Sequence, residues 1–211
     1  MKYASQALWW GIKEGFFQIG RLIFLNVTWI VFSLPIITLP AATLGLAFAV
    51  RIMVVDETDY SWKVFWEGFK RYLISSWRWF LPVLLLPVIF IYNILFFAVE
   101  SYTLSVVVQA SNIVLLVIWI FLQTFILPFL VEQEKPNIRT ALLNSVHLLY
   151  QKPGLYFLVT LFITMFLALS VFIITPVIIL SISMSLFIIM YCVQVYLGRR
   201  GMVLEEENFK R

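Results

Sequence analysis

The chain has 211 residues, of which 63% are hydrophobic and 12% charged. Soluble domains run at roughly 45–50% apolar and 25% charged, so a water-soluble fold that hides this much apolar surface is excluded. The 15 Lys and Arg outnumber the 11 Asp and Glu for a net charge of +4, but the basic residues flank apolar runs, which points to membrane orientation and not to nucleic acid.

No charge occurs in 22–50, 79–99, 101–131 or 153–198. A helix crosses the ~30 Å hydrocarbon layer in about 20 residues at ~1.5 Å each. The fold class is therefore all-α, a polytopic transmembrane helical bundle. It forms one domain over 1–198, followed by a short charged tail at 199–211.

The first run, 22–50, contains two breaks. Pro35 disfavours helix at Leu34, and Pro40 suits the first position of a new helix. The spacing predicts a hairpin over about 16–55, with Thr38 placed to cap its second arm through the side-chain hydroxyl. Read by hydropathy alone, the same run is a single long span.

An amphipathic helix is predicted over 61–78. Trp62, Phe65, Trp66 and Phe69 fall on one face, and Lys63, Glu67, Lys70 and Arg71 on the other. Lys63–Glu67 and Glu67–Arg71 are oppositely charged pairs at i,i+4. An aromatic face with a basic flank suits a helix lying in the cytoplasmic headgroup layer, anchored by those four aromatics.

Spans are predicted at about 79–99, with Pro82 and Pro87 loosening its first turns, and at about 105–131. A weaker amphipathic helix at 137–150 repeats the interfacial design. The last apolar run is too long for one helix, and Thr175-Pro176 divides it into spans at about 154–175 and 176–197.

Basic residues arbitrate the span count. With the hairpin there are six spans, and all 15 Lys and Arg fall on one side together with both termini. With a single first span there are five, and three basic residues fall on the other side. The positive-inside rule favours six, with cytoplasmic termini.

Asn26, Asn93 and Gln123 sit at membrane depth, where polar groups bond helix to helix or line a route through the bundle; the first role is expected. Arg21 and Arg51 either face each other across the mouth of the first hairpin or snorkel to the headgroups, and snorkelling is expected. Glu132 and Glu134 read as solvated loop charges, and the single histidine, His147, reads as exposed. Cys192 is alone, so no internal disulfide and no cysteine metal cluster is expected. No catalytic residue, metal ligand or cofactor-binding residue is identified, because hydrolase, zinc-protease and phosphate-loop motifs and intramembrane acidic pairs are missing from the sequence. A non-enzymatic role is expected.

Several stretches together carry a family resemblance. Phe24-Leu25-Asn26-Val27-Thr28-Trp29 leads to Ser33-Leu34-Pro35-Ile36-Ile37-Thr38, then Pro40-Ala41-Ala42-Thr43 and Phe65-Trp66-Glu67-Gly68-Phe69-Lys70. This pattern, over residues 10 to 80, resembles the YesL family of bacterial integral membrane proteins, a domain of unknown function. The family often has Gly before the proline opening the second arm, where this chain has Leu39. The resemblance implies a multi-pass protein of the bacterial cytoplasmic membrane. Family members commonly lie beside genes for carbohydrate uptake systems of the ATP-binding-cassette type, which implies an accessory or scaffold subunit packed against permease subunits. The alternative is a small oligomeric transporter or channel in its own right. Membrane lipids are expected partners, a homo-oligomer is compatible with the pattern, and nucleic acid is not expected.

Overall fold

The computed structural model describes residues 2–55, 62–98, 103–172 and 174–199. The ends of the predicted elements at Ser61 and Val99 and most of the tail lie outside them. Among the described residues the only regular structure is helical, with nine α-helices and one 3-10 turn. The helices are α1 (Lys2–Phe17), α2 (Ile19–Ser33), α3 (Leu39–Val55), α4 (Trp62–Tyr72), α5 (Ser76–Ala98), α6 (Thr103–Val131), α7 (Ile138–Gln151), α8 (Pro153–Phe172) and α9 (Ile174–Tyr196).

Five helical segments are long and apolar enough to cross a membrane, and a sixth crossing arises if α1 and α2, bent by 82°, act as one broken span. The chain is a multi-pass helical membrane protein. The six-span expectation thus rests on the α1–α2 pair, because α2 alone has 15 residues, or ~22 Å of helix.

The first apolar run does reverse. After α2, Pro35 is extended, a 3-10 turn covers Ile36–Thr38, and α3 returns beside α2. The Trp29 indole N–H donates to the Thr43 hydroxyl at 3.2 Å across the pair. The approach differs from the expected start near Phe16. The chain already runs as α1 from Lys2 and bends at Gln18. The periodic small residues Ala4, Ala7, Gly11 and Gly15 are buried, and they let α1 lie antiparallel on α9. Gly11 faces Tyr191, and Gly15 faces Met184 and Phe187. Small residues at this spacing permit close helix approach inside a membrane.

The core is centred on α3 and α9, which contact each other and most of the remaining helices. α4 packs on α3 so closely that a Cβ at Gly45 would stand 3.0 Å from the Phe69 amide nitrogen. α5 runs along α6 and touches α3, and its outer face is exposed along its whole length.

The amphipathic segment is shorter than expected, because α4 ends at Tyr72 and α5 starts at Ser76 after a turn. Several termini and linkers converge on one end of the bundle. The Tyr3 hydroxyl donates to the Val195 carbonyl at 3.4 Å, and the Lys152 ammonium lies 5.0 Å from the Tyr3 ring centre. Arg71 donates to the Glu134 carbonyl at 2.7 Å. This is termed the charged end.

Candidate functional site

Asn26, wholly buried, accepts from the Ser183 amide at 3.0 Å, and the Ser183 hydroxyl donates to the Leu22 carbonyl at 2.8 Å. These two bonds join α2 to α9 about 16 Å from the level of Gln194, taking 1.5 Å per residue. Asn93 donates through its amide to the Asn112 carbonyl oxygen at 3.2 Å, and Gln109 donates to the Ile94 carbonyl at 3.1 Å. These bonds fasten the far half of the α5–α6 hairpin. Gln123 differs: both polar atoms of its amide are buried without a hydrogen-bond partner.

At the hairpin turn, the Thr38 hydroxyl does not cap the second arm. It donates to the Phe32 and Pro35 carbonyls, each at 2.7 Å, and so binds the turn to the first arm. The reason is local. The 3-10 turn runs directly into α3, and the Thr38 amide itself donates to Pro35 at 2.9 Å. Pro35 supplies the extended residue before the turn, and Pro40 sits in the first turn of α3, where its missing N–H costs nothing.

The aromatic face of α4 is directed at the protein. Phe65 and Phe69 are buried, and the Phe32 ring lies 5.4, 5.6 and 5.2 Å from the rings of Phe65, Trp66 and Phe69. Trp62 is half exposed, and its ring lies tilted 6.3 Å from that of Trp66. Arg71 lies over the rings of Phe48 and Tyr72.

The densest electrostatic feature involves residues expected to be solvated. Glu132, at the end of α6, has a side chain only 8% exposed. Its Oε1 accepts from Arg51 Nε at 2.9 Å and from the Gln194 amide, and its Oε2 accepts from Arg199 Nη1 at 2.6 Å. Arg51 therefore does not snorkel. A carboxylate in an apolar surround needs partners to offset its lost hydration, and Arg51 is the charge within reach on α3. The sequence signal was available. Arg51, Glu132 and Arg199 are each the first charge after an apolar run, so the three helices deliver them to one depth. Glu134 is exposed, as is His147.

Beside this cluster is a cleft of about 350 Å³, lined by Glu132, Gln133, Asn144, His147, Tyr196 and Arg199 among others. The Tyr196 hydroxyl donates to Gln151 at 2.9 Å at its edge. Burial raises the Tyr72 hydroxyl above its ordinary pKa of 10.0, with Arg71 and Arg51 opposing the shift and Glu132 adding to it. No group of His, Cys, Asp and Glu suited to hold a metal ion occurs among the described residues.

The family described as "Protein of unknown function, DUF624" matches residues 22–94. Over that stretch, from α2 through most of α5, the chain is similar to this uncharacterised family. No curated protein and no solved structure matches the chain.

Proposed function

We propose that the protein is a non-enzymatic accessory or scaffold subunit of the bacterial cytoplasmic membrane, of the YesL type, associated with an ATP-binding-cassette carbohydrate importer. Both termini and all basic loops face the cytoplasm in this reading. The observation that carries it is the use made of intramembrane polar groups. Asn26, Asn93, Gln109 and Asn112 are spent on bonds between helices, so they hold the bundle together and leave its outer faces apolar. Lateral packing against other membrane helices suits such a surface, and α5 is the least buried of the five long apolar helices. The family match covers most of the residues on which the resemblance rests, and the carbohydrate link follows from that resemblance.

The test is purification of the tagged protein from native membranes in mild detergent, followed by quantitative mass spectrometry. Stoichiometric recovery of permease subunits of a carbohydrate importer supports the scaffold reading. A protein recovered alone that conducts sugar or ions in liposomes would replace it with the transporter reading.

A further inference from the structure

The α5–α6 seam changes character along its length. On α5 the less exposed positions include 79, 83, 86, 90 and 93, and on α6 they include 109, 112, 116, 119 and 123. Both stripes follow the roughly 3.5-residue repeat of two helices packed face to face. The Asn93–Asn112 bond fixes the antiparallel register. Carried toward the charged end, that register sets Trp119 at the level of Leu86 and Gln123 at the level of Pro82.

In this inner section the polar atoms have no partners. Trp79 Nε1, Trp119 Nε1 and both amide atoms of Gln123 are buried without a hydrogen bond. Two prolines of α5 stand at the same levels. Pro82 and Pro87 have no N–H, so the carbonyls of Arg78 and Val83 lose the donor that an α-helix supplies four residues on. Unpaired indole and amide donors thus share one stretch of seam with an unpaired amide acceptor and with two carbonyls that lack the usual helical donor. Leaving each such group dry costs about 1–3 kcal/mol, and native interiors rarely tolerate a cluster of them.

The geometry points to a binding site for small uncharged hydrogen-bonding molecules in the inner α5–α6 seam, occupied by internal water that bridges Trp79, Trp119 and Gln123 to the carbonyls freed by Pro82 and Pro87. Water fits the chemistry because it donates and accepts at once and bonds two to four groups. An ion does not fit, because Trp79, Trp119 and Gln123 are uncharged and Arg78, which borders them, is exposed. Buried bridging water of this kind lets a proline-containing membrane helix keep its backbone satisfied. The site makes no appeal to a partner subunit and stands apart from the scaffold reading.

The test is X-ray hydroxyl-radical footprinting of the wild-type protein in lipid nanodiscs, where radicals form from water in place. Tyr92, exposed on the outer face of α5, serves as the lipid-facing reference. The expected result is oxidation of Trp119 well above Tyr92, each normalised to the free amino acid. Gln123→Leu is expected to abolish the Trp119 signal and lower the melting temperature, because it removes the ligand of the water. Trp119 left unlabelled at doses that oxidise Trp62 would overturn the site. So would a Gln123→Leu protein that melts higher than wild type, since a dry, unpaired amide is relieved by an apolar replacement. The wild-type measurement decides the matter even if the variant fails to accumulate.

Discussion

Arg51 and Glu132 lie 81 positions apart in sequence and meet at 2.9 Å at the charged end, where the same carboxylate also takes Gln194 and Arg199. One side chain thereby ties α3, α6 and α9 together. Removing one partner of a buried pair leaves the other uncompensated, at about 3–5 kcal/mol when both are enclosed. Arg51 is 22% exposed and Arg199 52%, so water takes up part of the loss. Glu132→Ala is expected to destabilise by less than that range and well beyond Glu134→Ala, which removes an exposed carboxylate. Glu132→Gln should fall between them. Thermal unfolding in detergent, followed by loss of the monodisperse peak, measures the order. Equal melting of the Glu132 and Glu134 variants would show that the cluster contributes nothing.

The contact of α3 with α4 has no room for an added methyl. A Cβ on Gly45 would meet the Phe69 backbone at 3.0 Å, and one on Gly68 would meet Phe48 at 2.9 Å. Overpacking of this kind costs ~1–3 kcal/mol. Gly45→Ala has only backbone to displace and is expected to be the worse of the two. Gly20→Ala meets nothing within 4 Å and is expected to stabilise α2 by about 0.5–1 kcal/mol through helix propensity. A melting series of the three variants would refute the close-packing account if Gly45→Ala and Gly20→Ala behaved alike.

Asn93→Leu and Asn112→Leu each delete the side-chain hydrogen bond that closes the far half of the α5–α6 hairpin. Interhelical bonds inside membranes average ~0.6 kcal/mol and reach ~1.7. Each single change should stay within that range, and the double variant should cost less than the sum, because one bond is lost in both. Strict additivity in a double-mutant cycle would mean that the two amides do not interact.

Tyr72 provides a pH test. Its hydroxyl is buried without a hydrogen-bond partner, and its folded pKa is raised, chiefly by burial. A raised folded pKa means that the native state holds the proton more tightly than the unfolded chain. The resulting stability is complete below pH 10.0 and is lost as pH rises from there through the folded value. Tyr72→Phe should leave neutral-pH stability unchanged or slightly higher and should reduce the alkaline loss. An identical alkaline melting profile for both proteins would exclude Tyr72 as a contributor.

For sidedness, Lys63→Cys and Arg139→Cys in a Cys192→Ala background report the segments around α4 and α7. Both are expected to be labelled from the cytoplasm only. Opposite labelling of the two would mean an odd number of crossings between them and would defeat the reading of α5 and α6 as a pair of spans that leaves and returns to one side.

The long spans were legible because charge is excluded from lipid, and that exclusion leaves gaps in the sequence that nothing else leaves. The reversal at Pro35 and Pro40 was legible for a related reason: proline acts on its own neighbours. Helix α1 was missed. Its signal is Ala4, Ala7, Gly11 and Gly15, residues whose smallness matters only once α9 lies beside them. Glu132 was misread for the same reason, since its partners come from distant segments. The aromatic face of α4 was visible as a pattern, but the pattern alone could not distinguish lipid from Phe32 as its neighbour. Thr38 was given the wrong bond because the choice depends on whether the turn continues into the helix or breaks before it.

The tip of the α2–α3 hairpin has a consequence for how the chain enters the membrane during synthesis. Leu34, Ile36 and Ile37 are 75%, 79% and 70% exposed at the turn, and no charged side chain occurs between Arg21 and Arg51. Ordinarily, pushing a loop across a bilayer means dragging hydrated or ionised groups through hydrocarbon, at roughly 2.5–3.5 kcal/mol for each such residue at mid-depth. This loop carries no such cargo, and each of its aliphatic side chains gains about 0.3–0.6 kcal/mol on entering lipid. The two arms can therefore go in together as a folded pair, tip first, while Arg21 and Arg51 stay behind.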